Sequence, residues 1–86
     1  MTKGEYKVGI DFNPSQDDVV GRIKRLAADF IDLVDDNNNM VQLLSFETKE
    51  DKIRAVEVAR LTAIALTDIE SAAMWAVKAA TKGVPK

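Results

Sequence analysis

Thr48 to Gly83 reads TKEDKIRAVEVARLTAIALTDIESAAMWAVKAATKG, and no proline or glycine interrupts it before its last residue. Thr48 with Asp51 makes a capping box at its start. At its end Gly83 suits a left-handed cap, Lys78 and Lys82 complement the negative end of the helix dipole, and Pro85 blocks continuation. The stretch predicts one helix over about residues 49–82. Its apolar residues fall on two stripes: Ile53, Val56, Ala63, Thr67, Met74 and Val77 on one, Val58, Leu61, Ala65, Ala72 and Trp75 on the other. One partner helix covers only one stripe, and a contiguous apolar patch left wet usually marks an interface. The alanines allow close helix approach. Trp75, the chain's only tryptophan, therefore has two readings: with Met74 it lies in an oligomer interface, or it caps the core of a hairpin.

Working back toward the N-terminus, Val19, Val20, Ile23, Leu26, Ala27, Phe30, Leu33 and Val34 recur at three- and four-residue steps, as on an amphipathic helix. Asp35 to Asn39, DDNNN, has poor helix propensity, yet Val41 and Leu44 stay in phase with Val34. The helix either frays there or runs on to about Leu44. Its start lies in FNPSQDD. Asn13 can cap with Pro14 at the first helical position and Gln16 three residues in, or Ser15 can pair with Asp18 as a capping box. Both frames remain open. Residues 1–13, with Gly4, Gly9 and alternating Tyr6, Val8 and Ile10, are too short for a domain and read as an arm. The expected architecture is all-α, a single domain over 1–86: an antiparallel helical hairpin with arm 1–13 and helices over about 14–44 and 49–82.

Composition narrows the function. A single core in 86 residues buries only about 60% of the unfolded chain's surface, so stability is marginal unless a partner contributes. The chain has no cysteine and no histidine, which removes disulfides, thiolates, the commonest metal ligands and the commonest general base. Catalysis, a cofactor and a metal site are not expected. Twelve Lys and Arg against fourteen Asp and Glu, net charge -2, do not suit a protein that coats long nucleic acid. No apolar run approaches the roughly 20 residues of a membrane span, and the polar start has no signal-peptide core, so no membrane association is expected.

GRIKR, Gly21 to Arg25, puts Arg22, Lys24 and Arg25 on or near the polar face of the first helix. Such a cluster is usually a solvated face. Its functional alternative is a small-anion site, with Lys24 as a point charge for a phosphate and the helix start at Asn13, Pro14 and Ser15 offering free N–H groups to a second. Lys24 sits off the main apolar stripe, so its truncation is expected to leave the helices intact. Phe12 and Tyr6 lie just upstream and can stack on a base, or serve as a hydrophobic staple and arm packing. Asp29, Asp32, Asp35 and Asp36 read as the solvent face of the helix. Asp68 and Glu70 sit in the apolar half of the second helix, where an ionised group needs a partner; an ordinary ion pair is the expected one, with a cross-subunit or ligand contact as its alternative.

The FNPS turn, the helix carrying Ile23 and Lys24, and the run AMWAVKAA, Ala73 to Ala80, resemble the phage cyclic-oligonucleotide sponges of the anti-CBASS family, which share a helical hairpin with the Thoeris anti-defence sponges. The resemblance implies a compact homo-oligomer, a hexamer, that binds cyclic dinucleotides such as cyclic GMP-AMP at subunit interfaces and holds them without cleavage. It implies that Lys24 meets phosphate, that Phe12 or Tyr6 stacks on a base, and that Arg60 contributes to a separate pocket for cyclic trinucleotides. The place of action it implies is the cytoplasm of the infected bacterial host. Its rival is a ligand-free helical oligomer acting through protein contacts alone. A phosphodiesterase is disfavoured by the missing histidine and the lack of a carboxylate metal cluster.

Overall fold

A computed structural model describes residues 1–45 and 47–85, and every regular element among them is a helix. α1 spans Lys3–Val8, α2 Asp18–Leu44 and α3 Lys49–Ala80. α2 and α3 form the expected antiparallel hairpin. The expected arm is instead a helix with a built start and stop. Thr2 Oγ1 accepts from the Glu5 N–H at 3.0 Å while the Thr2 N–H donates to Glu5 Oε1 at 2.7 Å, a complete capping box. Gly9, in the left-handed region at φ 62°, ends α1, with its N–H on the Tyr6 carbonyl at 3.2 Å and the Ile10 N–H on the Glu5 carbonyl at 3.0 Å.

A six-residue helix has no stability of its own in water. α1 persists because α2 holds it. Gly4 is buried, and a Cβ there would overlap the Ala28 carbonyl, so only glycine lets the two backbones approach this closely. The Gly4 N–H, one of the donors that a first helical turn leaves free, is satisfied by Asp32 Oδ1 at 2.7 Å. Lys3 Nζ meets Asp35 Oδ1 at 2.9 Å, and Arg25 meets both Glu5 and Asp29 at 2.8 and 2.9 Å. Three of the four aspartates expected on a solvent face are therefore engaged, two of them in clasping α1. Asp36 alone stays exposed and unpaired among the described residues.

α2 begins in neither expected frame. Its N-cap is Asp17, whose carboxylate accepts from the Val19 and Val20 N–H groups at 2.8 and 3.2 Å. Pro14 takes the second place of a turn closed by the Gln16 N–H on the Asn13 carbonyl at 2.9 Å, where proline's fixed φ is favourable. The Asn13 side chain accepts from the Asp17 N–H at 3.0 Å and donates to the Asp17 carbonyl at 2.8 Å, tying the turn to the helix. α2 then continues through Asp35–Asn39 to Leu44. Thr48 caps α3, accepting from the Asp51 N–H at 3.0 Å. α3 closes at Ala80 with Thr81 as its cap, and Gly83 does not take the expected left-handed conformation; Gly9 is the positive-φ glycine among the described residues.

The seam of the hairpin runs through Val20, Lys24, Ala28, Ile31 and Val41 on α2 and Ala55, Thr62, Leu66 and Ala73 on α3. Neither expected stripe of the second helix supplies that seam. The large apolar residues of α2, Leu26, Phe30 and Leu33, centre roughly 150° round the helix from it and are more than half exposed. Trp75, nine residues after Leu66 and thus about 180° round α3 from the seam, is 58% exposed, so it does not cap the hairpin's own core. The chain is 61 × 25 × 13 Å, one helix layer thick, and its 16.5 Å radius of gyration compares with about 12 Å for a compact domain of this length.

Gly4→Ala separates docking from helix propensity. Alanine favours an isolated helix by about 1 kcal/mol over glycine, yet its Cβ would collide with the Ala28 backbone. We expect hydrogen exchange of the α1 amides to accelerate at least tenfold in Gly4→Ala while the centre of α2 stays protected. Unchanged or slower exchange in α1 would contradict the docking account.

Candidate functional site

Lys24 is 7% exposed, although it carries a charge and lies in a basic run. Burying an ammonium is costly without partners, and no carboxylate meets it among the described residues. Its partners are backbone oxygens instead. Lys24 Nζ donates to the Gly9 carbonyl at 3.0 Å and to the Phe12 carbonyl, and it stands 5.3 Å from the centre of the Phe12 ring. The two carbonyls come from the turn between α1 and α2, which the Phe12 N–H closes on the Gly9 carbonyl at 2.9 Å. The ammonium thus staples the Gly9–Phe12 turn onto α2. It has three N–H donors, and two are engaged. The expectation that Lys24 is dispensable to the fold is corrected: it stands in the helical seam.

Around this ammonium lies a cleft of about 650 Å³, within the size range of small-molecule sites. Tyr6, Lys7, Val8 and Gly9 of α1 and its cap form one wall, Phe12 and Lys24 another, and Thr67, Glu70, Ser71, Ala73, Met74 and Val77 of α3 the third. The α3 residues Thr67, Glu70, Ser71 and Met74 follow each other at steps of three, one and three, which puts all of them on one helical face. Sequence reading singled out Tyr6, Phe12 and Lys24 for ligand contact and Met74 for an oligomer interface; of the polar trio on α3 it singled out Glu70 as a charge needing a partner, placed Thr67 on an apolar stripe, and missed Ser71, as it missed Lys7. The trio's spacing was legible, but nothing in it said which helix it would face.

The remaining expected residues lie elsewhere. Asn13, Pro14 and Ser15 do not line this cleft, and the α2 N-terminus beside them already holds the Asp17 carboxylate, leaving no open N–H cradle for a phosphate there. Arg22 is exposed at 3.9 Å from Asp18, and Arg25 binds Glu5, so GRIKR does not present one basic face. Arg60 lies on the exposed side of α3, forked onto Glu57 one turn before it, and that carboxylate holds the guanidinium protonated more firmly than usual. Asp68 and Glu70 make no ion pair among the described residues, contrary to expectation. Trp75 carries the Lys78 ammonium 5.2 Å from its ring centre, on the face away from the cleft.

α1 forms one wall of the cleft, and ion pairs add to the Gly4 packing that attaches it. The Arg25 guanidinium, followed by the Thr2 backbone N–H, holds the Glu5 carboxyl down at about 2. A carboxylate whose pKa falls on folding contributes stability that is complete above its unfolded value near 4.5 and is lost as pH drops toward 2.

The chain is thus an all-helical hairpin with a short docked N-terminal helix and a cleft where they meet. Residues 5–81 match the family model described as Acb2/Tad1, hairpin domain, and the chain belongs to that family, the anti-CBASS and anti-Thoeris sponges that bind cyclic nucleotide signals. No curated protein and no solved structure matches it. No described helix is long and apolar enough to cross a membrane.

Two outcomes follow from these contacts. Lys24→Met keeps length and apolar bulk but removes the ammonium. Charged hydrogen bonds of this kind contribute about 1.5–3 kcal/mol each, so the ligand-free variant should melt on the order of 10 °C lower; an unchanged midpoint would mean that Lys24 does not staple the turn. Glu5→Gln preserves the capping box and removes only the charge facing Arg25. The gap in melting temperature between the unmodified protein and Glu5→Gln should be full from pH 5.5 to 7 and close as pH falls from 4.5 toward 2. A gap independent of pH would assign the effect to packing.

Proposed function

We infer that the protein is a sponge for cyclic dinucleotides such as cyclic GMP-AMP, which it binds in the Lys24 cleft and sequesters without cleaving. Family membership supports the class of ligand. The observation that carries the site is the convergence of Lys24, Lys7, Tyr6 and Phe12 on one cleft. A cyclic dinucleotide presents two phosphates and two bases. The cleft offers two cations, one with an N–H to spare, and two aromatic rings that can meet a base face, a contact worth about 1–3 kcal/mol per base. Phe12 is already engaged by the Lys24 ammonium, whereas Tyr6 is exposed and makes no described hydrogen bond through its side chain, so Tyr6 is the freer platform.

The functional unit we infer is a homo-oligomer, a hexamer by family resemblance. The accessible area is 6482 Å², against about 5,050 Å² for a monomer of this mass. The exposed surface includes large apolar residues: Leu26, Phe30 and Leu33 on α2, and Ile53, Val56, Leu61, Ile64, Met74 and Trp75 on α3. Such faces favour burial against further copies. The family resemblance further implies a second pocket for cyclic trinucleotides between subunits, with Arg60 in it. Its pairing with Glu57 is a surface ion pair that a phosphate can displace. The setting is the cytoplasm of a phage-infected bacterium, where a tight binder lowers free messenger once its sites outnumber messenger molecules.

Incubation with cyclic GMP-AMP followed by proteolysis of the protein tests this directly. A sponge depletes the free nucleotide and returns it intact. Linear product would identify a phosphodiesterase, and undepleted nucleotide would identify an oligomer that acts through protein contacts alone. Native mass spectrometry at micromolar concentration should show a closed oligomer, and Trp75→Glu should dissociate it; a stable folded monomer of the unmodified protein would overturn the assembly.

A further inference from the structure

Glu70 stands in the wall of a cleft that we read as a site for a ligand with two negative charges. There it is an oddity. A carboxylate repels a phosphodiester, and its ionised form only accepts hydrogen bonds. Most carboxylates of the chain that approach another helix have a cation or an N–H group against them, as Glu5, Asp32 and Asp35 do. Glu70 has neither among the described residues. It shares a helical face with Thr67, Ser71 and Met74, all turned to the same cleft. The Thr67 hydroxyl donates to the Ala63 carbonyl at 3.1 Å, so toward the cleft it too presents an acceptor. The α3 wall is thus rich in acceptors, while the Lys24 side supplies donors.

A ligand matches both sides if its phosphates face the lysines and a pair of its own N–H donors faces α3. We propose that Glu70 is a specificity-determining residue that reads a guanine base. This rests on the cyclic dinucleotide reading above. Guanine carries N1–H and an N2 amino group side by side on its Watson–Crick edge, and a carboxylate accepts both in one bidentate contact. Adenine offers only its N6 amino group there and sets the N1 lone pair against the second carboxylate oxygen. The carboxylate therefore favours a guanine-containing ring over an all-adenine ring. A bidentate contact to a base discriminates roughly tenfold to a hundredfold.

Glu70→Gln inverts the pattern without disturbing the helix, since the residue is exposed and the two amino acids have similar helix propensity. The amide carbonyl accepts from the adenine amino group while its NH2 donates to adenine N1. Removing the negative charge also raises the affinity of any dianion, so the readout is the ratio of affinities for cyclic GMP-AMP and cyclic di-AMP, in which that common gain cancels. Calorimetry on the intact protein should give a ratio of roughly tenfold or more favouring cyclic GMP-AMP, falling to about one or reversing in Glu70→Gln. A ratio near one in the unmodified protein, or a ratio that survives Glu70→Gln, overturns the assignment and leaves the sponge reading standing. Failure of the unmodified protein to bind either ring overturns the sponge reading itself.

Discussion

The Lys24 ammonium, desolvated between α2 and the Gly9–Phe12 turn, is the contact on which the arrangement of this chain depends. Without it the turn between α1 and α2 has only its own short-range hydrogen bonds, and α1 loses its tether at the C-terminal end. The charge is satisfied by carbonyl oxygens and a ring face rather than by a carboxylate, so it is not neutralised. A cation of this kind is held rigidly and still projects a positive field into the adjoining cleft. On the proposed reading, one side chain would both position and attract an anion, without a separate basic patch on a chain whose net charge is negative.

The hairpin itself was legible because its signals are local and mutually consistent: the Thr48 cap, an unbroken run to Ala80, and a three- to four-residue apolar rhythm from Val19 to Val34. The face each helix turns to the other was not. Periodicity locates an apolar stripe but does not say what covers it. Here the seam mixes the small and polar Lys24, Ala28, Ala55, Thr62 and Ala73 with Val20, Ile31, Val41 and Leu66, while Leu26, Phe30, Leu33 and Trp75 point outward. α1 escaped for another reason. Its Thr2–Glu5 capping box and Gly9 stop are both visible in TKGEYKVG, but a helix of this length forms only when another element holds it, and the carboxylates that do so are about thirty residues away, Asp32 and Asp35.

The site was half legible. Tyr6, Phe12 and Lys24 stood out by residue type and proximity along the chain, and the structure gathers them at one cleft. Asn13, Pro14 and Ser15 stood out by the same logic and serve the turn instead, because Asp17 supplies the helix N-terminus with its own anion. Glu70 stood out only as a charge in an apolar half that needed a partner, and Thr67 and Ser71 gave no sign of a site, since ordinary polar residues acquire meaning only from what the hairpin brings opposite them.

The clasp that fastens α1 has a consequence for affinity. Glu5–Arg25 and Lys3–Asp35 are partly exposed pairs, sensitive to ionic strength, and they hold a helix that cannot persist alone. A ligand against Tyr6 and Lys7 would depend on that helix as a wall, so weakening the clasp would raise its apparent dissociation constant to the intrinsic one divided by the fraction of molecules with the wall in place. Substitutions at Lys3, Glu5 or Asp35, none of which lines the cleft, can therefore raise or lower affinity over a graded range while leaving ligand preference untouched. On the proposed reading, strength and selectivity of capture would then be carried by different residues, each free to drift without the other.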